Sequence, residues 1–400
     1  MQKDKLWTRS YIFICIAGFL TSFSFFLLVP TLPFYLADEF GVSPAIVGAV
    51  LSCYVLAVLC VRPFAGCIAD SYPRKRVYII SYALFATAFC GYFGIASTLP
   101  LFILLRIFHG LTFGALSTTA NTLVIDIMPS SRRGEGLGYY GVMNNLAMAF
   151  GPMTGLFIIN AYNYELLFSV SLGAALTGLF IASMVKSSYR APSQKTVSII
   201  SVDRFFLVEG LPASIVLFML AVPYGITSSY MAIYASECGI TTSSGLFFTV
   251  MALGLIVSRL NSGKQVDKGY ITQTIRRGFF ILFPGILGEA LLAAVASVDI
   301  NCAYVVYFSS AMLFGYGFGT MFPAFNTLFV NLAPNSRRAT ANATYLTGWD
   351  VGIGSGMLLG GAISEYGFSL SFSFGAVLVV IAMLLFVLYV TPHFARHRLR

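Results

Sequence analysis

Charge is scarce in this sequence. Asp, Glu, Lys and Arg make up 10% of its 400 residues, against roughly a quarter in a water-soluble domain, which excludes an ordinary soluble globular chain. Histidine (three) and tryptophan (two) are rare as well. The seven cysteines (Cys15, Cys53, Cys60, Cys67, Cys90, Cys238, Cys302) are an odd number, without a C-x-x-C pair or a His-rich tract. They read as buried free thiols, so no disulfide framework, metal site or cofactor is expected. No phosphate loop or nucleophile–base pair stands out, and the polar connections are too short to hold a catalytic or nucleotide-binding module. An enzyme is not expected.

What the chain does have is apolar length, with 58% hydrophobic residues and a mean hydropathy of +0.84. A span needs about 20 apolar residues, and twelve such stretches can be drawn at about 11–36, 43–65, 77–97, 99–124, 136–160, 166–186, 210–235, 242–261, 277–297, 301–330, 339–363 and 368–391. The first is too long for a signal-peptide core and lacks a small-residue cleavage site, so it reads as a retained span. The expected fold is all-α and integral to a membrane.

Basic residues set the orientation. Of 24 Lys and Arg, three (Arg62, Arg106, Arg259) fall within or at the edge of spans, and the other 21 lie on one alternating set of connections. The opposite connections carry acids alone: Asp38, Glu39, Glu165, Glu237, Asp299 and Glu365. By the positive-inside rule both termini are cytoplasmic, which requires an even number of spans. The net charge of +9 is then a matter of topology and anionic lipid, and nucleic acid is not a partner. The longest connection, 187–209, is rich in Ser and basic residues. It reads as a cytoplasmic linker between a six-span bundle over 1–186 and a second over 210–400.

The chain also repeats itself. Shifted by 205 residues, Gly110, Phe113, Gly114, Asn121, Pro129, Arg132, Arg133, Tyr140, Gly151 and Gly155 meet Gly315, Phe318, Gly319, Asn326, Pro334, Arg337, Arg338, Tyr345, Gly356 and Gly360, among thirteen identities in 46 gapless positions. Asn, Pro and an Arg pair do not recur through shared hydrophobicity. An offset of 197 pairs Arg62, Gly66 and Asp70 with Arg259, Gly263 and Asp267. Two similarly oriented six-helix halves follow, with the natural ligand site in a midplane cavity between them.

These patterns resemble the major facilitator superfamily of secondary transporters, and within it the 12-span drug:proton antiporters. The resemblance covers nearly the whole chain. Gly66-Cys67-Ile68-Ala69-Asp70-Ser71-Tyr72-Pro73-Arg74-Lys75 looks like the family's G-x-x-x-D-R-x-G-R-R signature, departing at Ser71 and Pro73. Gly263, Asp267 and Lys268 form a weaker copy. Pro30-Thr31-Leu32-Pro33 is similar to the family's P-x-x-P pattern, and Arg106-x3-Gly110-x3-Gly114 to its R-x3-G-x3-G/A motif. Gly138, Gly151, Pro152 and Gly155 resemble the antiporter signature, with Ala147 and Leu156 standing where glycines are usual.

The resemblance implies a gate at the cytoplasmic span ends for Gly66, Asp70 and Arg74, with Gly66 allowing close helix approach. Asp126, Gly263 and Asp267 join it as the neighbouring span end and the repeat copy. Helix-end carboxylates that pair in one conformation and lose the pairing in the other suit that role. It implies a part in proton transfer for Arg106, which as an intramembrane cation needs an acidic or carbonyl partner. His109, three residues on, reads as a neutral hydrogen-bonding group. Arg62 reads as structural, snorkelling or paired with Asp126.

Asp350 lies 12 residues beyond Arg338, about 18 Å along a helix and so near the midplane. A carboxylate there costs at least ~2.5 kcal/mol and must face protein or a water-filled cavity. It is a candidate for proton coupling or for binding a cationic substrate, the alternative being a structural acid bonded to hydroxyl or backbone groups. Glu289 lies at a similar depth after Arg277, on a span that the resemblance makes peripheral, and is a candidate for coupling or for an inter-helix hydrogen bond. Asn121, Asn144, Asn145 and Asn326 serve as interhelical glue or, for the fifth-span pair, as cavity lining. Tyr54, Phe113, Tyr140, Tyr224, Phe322, Tyr345 and Trp349 lie on spans expected to line the cavity, where rings can stack on a ligand or hold a cation. Gly352, Gly354, Gly356, Gly360 and Gly361 permit close approach of the eleventh span.

The expectation is a proton-driven exporter of small amphipathic or cationic compounds working by alternating access, monomeric, multi-pass and resident in the plasma (inner) membrane. Its partners are the substrate, protons and membrane lipid. A symporter or exporter of a sugar, siderophore, lipid or other metabolite is the rival, and a transport-inactive membrane receptor is the reading from another class.

Overall fold

A computed structural model of the chain describes residues 5–94, 97–129, 132–186, 207–240, 244–334 and 337–399, with the side chains of Pro63, Cys67, Asp70, Arg133, Gly134, Glu135, Ser244, Leu260, Asn261, Asp267, Arg338 and Ala339 left aside. Most of the 187–209 connection lies outside the described residues. Among them there is no strand. Eleven helical segments are long and apolar enough to cross a membrane, and large apolar side chains such as Leu56, Phe64, Phe180, Val305 and Leu388 lie outward, as a lipid-facing surface requires.

In chain order the helices are α1 (Arg9–Leu28), α2 (Leu32–Phe40), α3 (Pro44–Ser71), α4 (Arg74–Cys90), α5 (Leu99–Ile127), α6 (Arg133–Ala161), α7 (Tyr164–Ser183), α8 (Leu211–Glu237), α9 (Ser244–Asp267), α10 (Ile271–Val298), α11 (Ile300–Leu332), α12 (Arg338–Ser364), α13 (Phe368–Leu385) and α14 (Thr391–His397). α12 is as long as a span but is broken up by Thr340, Asn342, Thr344, Thr347 and Asp350, and it is not among the eleven. A helix so polar survives in a bilayer by facing protein or water.

The first apolar stretch is not one helix. α1 stops at Leu28 and α2 starts at Leu32. Pro30 and Pro33 have no N–H to donate, so two rungs of the helical ladder are missing. In the break the Thr31 hydroxyl donates to the carbonyls of Leu27 and Leu28, at 2.9 and 3.1 Å. At the start of α11, the Asp299 carboxylate accepts from the Asn301 N–H at 2.9 Å. That hydrogen bond and those of Cys302 hold the Asp299 carboxyl below its ordinary range.

The helices cluster into two compact units, one holding the described residues of Met1–Phe40 and Cys53–Ile199, the other those of Gly41–Ser52 and Ile200–Arg400. In the first, α1 packs on α6 and α7, and α4 on α5 and α7; in the second, α8 packs on α12 and α13, and α10 on α11 and α13. The pairing is the same in both.

Glycine contacts repeat it at atomic scale. A Cβ on Gly110 would strike the Tyr54 carbonyl, and one on Gly114 would strike Val61 and the Val58 carbonyl. A Cβ on Gly315 would strike the Met251 carbonyl, and one on Gly319 would strike Ser258 and the Leu255 carbonyl. The glycines are related by the 205 offset and their partners by the 197 offset, so α3–α5 and α9–α11 are the same close crossing built twice. Gly151 and Gly155 likewise lie against Phe26 and Leu27 of α1, and Gly352 and Gly356 against Phe218 and Val222 of α8.

Candidate functional site

Each unit carries a cluster of rings, the first with Arg106 against it, and in each the glycine crossings put the rings together. In the first unit, Arg106, His109 and Phe113 recur at three- and four-residue spacing on α5 and so share one face. Gly110, on the same helix, lets α3 approach until the Tyr54 ring meets that face. The Arg106 guanidinium carbon lies 4.4 Å from the Tyr54 ring centroid. Phe25 of α1 stacks on Tyr54 at 5.1 Å and on Phe113 at 5.0 Å.

Arg106 and His109 are buried, at 3% and 0% exposure. Arg106 donates from Nη1 to the Tyr92 hydroxyl at 3.3 Å, and the same hydroxyl lies 3.0 Å from Nδ1 of His109. Tyr92 sits in the turn Gly91–Phe93 that ends α4. Phe89 and Phe85 close over His109 at 4.7 and 5.1 Å. Arg106 Nε and His109 Nε2 are buried without a hydrogen-bond partner among the described residues. The expected acidic or carbonyl partner of Arg106 is thus replaced by a phenol and a ring face.

In the second unit, Phe314, Phe318 and Phe322 line one face of α11 at four-residue steps, with centroids 4.8 and 5.4 Å apart. The tight α8–α12 approach at Gly352 and Gly356 brings Tyr224 within 4.9 Å of Trp349. Phe322 meets Trp349 edge to face at 4.5 Å, and Tyr224 meets Phe318 at 5.4 Å. The four rings Tyr224, Phe318, Phe322 and Trp349 form a box. Asp350, next in the chain, is half-buried and has interaction partners. Tyr345, one turn before Trp349, lies within electrostatic reach of both Asp350 and Arg259. Arg259 Nε is buried with no hydrogen-bond partner among the described residues.

Glu289 occupies a separate place. It is 1% exposed on α10 and accepts the Thr227 hydroxyl at Oε2, 2.8 Å away. Its Oε1 has no partner among the described residues, and the phenols of Tyr307 and Tyr234 are its electrostatic neighbours.

The structure therefore gathers Tyr54, Phe113 and Arg106 in one cluster and Tyr224, Phe322 and Trp349 in the other. Tyr140 is apart, its ring filling the space left by Gly18, and Tyr345 packs on Phe329 at 5.8 Å. The Ser22 hydroxyl of α1 donates to Asn144 Oδ1 of α6, and Asn145 is half-buried. Asn326 donates to Asn342 at 3.2 Å. Asn121 is exposed.

At the span ends, Nη1 of Arg74 reaches both oxygens of Asp126 at 2.7 Å. Arg62 is half-buried and also has interaction partners. The side chains of Asp70 and Asp267 lie outside the described residues. Gly66 departs from expectation, because a Cβ there would meet nothing within 4 Å, and the same holds at Gly263 and Gly138. The close approaches of α3 and α9 run through Gly110, Gly114, Gly315 and Gly319 on the partner helices instead.

Sequence reading did not single out Phe25, Ser22, Phe318 or Tyr92. For Ser22 and Phe25 the signal is their three-residue spacing on α1, and for Phe318 its place among the repeat identities.

A family model described as Major Facilitator Superfamily matches residues 14–353 and 269–399. The staphylopine export protein of Staphylococcus aureus is 22% identical over 87% of this chain and 88% of its own length. The multidrug resistance protein MdtG of Serratia proteamaculans is 25% identical over 94% and 92%. Among solved structures, the nucleoside transporter NupG superposes with a TM-score of 0.77 at 14% identity, covering 95% of this chain and 99% of that one. A bacterial homolog of the human lysosomal transporter Spinster gives 0.75 at 14%, covering 98% of each.

Proposed function

The chain belongs to the Major Facilitator Superfamily, and on that premise we propose that this multi-pass membrane transporter is a proton-coupled exporter of small amphipathic or cationic compounds. The observation that carries the reading is the box of Tyr224, Phe318, Phe322 and Trp349, with Asp350 following Trp349 on α12. Ring faces attract a cation and stack on an apolar body, while a neighbouring carboxylate supplies charge. The directional part of the proposal draws on relatives named for export and multidrug resistance.

In this reading two six-helix halves, 1–186 and 210–400, joined by the linker 187–209, alternate access to a midplane cavity. Both termini are cytoplasmic, the membrane is the plasma membrane and the working unit is a monomer. Asp350 exchanges its proton against the substrate. Glu289, buried with one hydroxyl donor, is the second candidate for a proton site. The Arg74–Asp126 pair belongs to a gate at the cytoplasmic span ends that forms in one state and opens in the other.

The test is interior pH in proteoliposomes carrying a proton gradient, challenged in turn with lipophilic cations, sugars and organic anions, for wild type and Asp350→Asn. Proton movement evoked by lipophilic cations and lost in the variant is the expected result. Wild-type rates in Asp350→Asn, or proton movement evoked by sugars alone, would overturn it.

A further inference from the structure

We propose that Arg106 is a binding site for a carboxylate on the transported molecule, so that the preferred substrates are amphipathic zwitterions, a carboxylate and a cation on one apolar body. The inference rests on the transport reading above and narrows its substrate class.

Arg106 is 3% exposed in a membrane-spanning helix, and a guanidinium keeps its charge. Its described partners are neutral, the Tyr92 hydroxyl at 3.3 Å and the Tyr54 ring at 4.4 Å. Among the described residues no carboxylate lies within ion-pair distance of it; the ion pair found there is Arg74–Asp126. Its Nε donor is buried and unused. A buried cation with no acid among its described neighbours is costly and calls for an anion.

The surrounding groups do not supply one. Tyr92 accepts from Arg106 and can donate its own hydroxyl hydrogen bond to an unprotonated Nδ1 of His109, the arrangement of a neutral imidazole. His109 then contributes no negative charge. The remaining walls, Phe25, Tyr54, Phe85, Phe89 and Phe113, are rings.

The second unit provides an internal control. The same α3–α5 crossing is rebuilt there as α9–α11, with glycine on carbonyl at matching positions. At the 205 offset, Ala311 stands for Arg106 and Phe314 for His109. Packing of this crossing therefore needs neither a cation nor an imidazole. Arg106 is kept for what its charge can hold, and a planar fork of donors matches the two oxygens of a carboxylate. Tyr54, Phe25 and Phe113 offer the adjoining apolar surface, which selects an acid on an aromatic or aliphatic body over a small inorganic anion.

The experiment compares binding of rhodamine B, whose free carboxylate makes it a zwitterion, with its ethyl ester, by fluorescence anisotropy on the purified full chain. Wild type is expected to bind the acid about tenfold more tightly than the ester, as one charge-assisted pair would give. The ratio should collapse to about one in Arg106→Gln and be largely restored in Arg106→Lys, since lysine keeps the charge without the fork. Where Arg106→Gln fails to fold, benzoate competition on wild type decides: benzoate should displace rhodamine B and leave the bound ester untouched. Equal binding of the two dyes by wild type, failure to bind either, or an unchanged ratio in a folded Arg106→Gln would overturn the proposal. Transport has a separate readout, because proton movement evoked by the ester as strongly as by the acid sinks the carboxylate site and leaves the exporter standing.

Discussion

The Thr227 hydroxyl donates to Oε2 of Glu289 at 2.8 Å across α8 and α10. Removing that donor leaves a carboxyl group at 1% exposure with neither oxygen bonded among the described residues. Thr227→Val is expected to destabilise the protein by about 1–3 kcal/mol, the cost of orphaning a buried polar group. Glu289→Gln keeps a hydrogen-bonding group of the same size, so it should melt within a few degrees of wild type and, if Glu289 carries the proposed proton, slow proton-coupled transport. Detergent melting curves beside proteoliposome proton flux separate the two effects.

The repeated crossing predicts a paired response to alanine. Gly110→Ala and Gly315→Ala would each drive a Cβ into a backbone carbonyl that cannot step aside, and each should cost about 1–3 kcal/mol. Gly66→Ala and Gly263→Ala meet open space and gain helix propensity, up to about 1 kcal/mol. Melting temperatures of the four variants check this, and a large loss at Gly66 would contradict the open geometry.

Arg74 and Asp126 remain 23% and 15% exposed, so screening trims their attraction. A double-mutant cycle of Arg74→Ala and Asp126→Ala should return a coupling of about 1 kcal/mol, falling as salt is raised. Coupling near zero at low salt would remove the pair from the proposed gate.

Cys238 follows the end of α8, and burial together with the Glu237 carboxylate pushes its thiol up to about 11. Because the thiolate is the reactive form, Cys238 is expected to resist maleimide near neutral pH. Its labelling rate should climb close to tenfold per unit of pH until it levels off around that value. Site-resolved mass spectrometry at several pH values reads the slope, and a plateau near pH 8.5 would show an unperturbed thiol.

The spans and the repeat were legible because hydropathy marks length, and because Asn, Pro and Arg identities stand out against an apolar background. α12 reads as an apolar stretch like the others, and its register with α6 supports it, although it is not among the eleven helices apolar enough to cross a membrane. Side-chain partnerships were harder. In a soluble helix the polar face reveals its rotation, but in lipid the outer face is as apolar as the core, so sequence does not say which side of α1 carries Phe25 inward. For the same reason Arg106 was visible as a buried cation while its partners, the Tyr54 ring and the Tyr92 hydroxyl, were not. Gly66 misled because a glycine signals close approach only where another helix arrives. Val29–Thr31 reads as continuous helix by hydropathy, and the break follows from the N–H groups that Pro30 and Pro33 lack.

The glycine-on-carbonyl contacts that recur at Gly110 and Gly315 divide the molecule's obligations. Positions that touch backbone are matched between the copies, because neither can change without reshaping the crossing. Positions beside them on the same helix are free to differ, and Arg106 and His109 in one copy correspond to Ala311 and Phe314 in the other. Architecture and side-chain chemistry are thereby uncoupled, and on the proposed role of Arg106 a new cargo can be accommodated by rewriting those positions while the scaffold they hang on stays as it was.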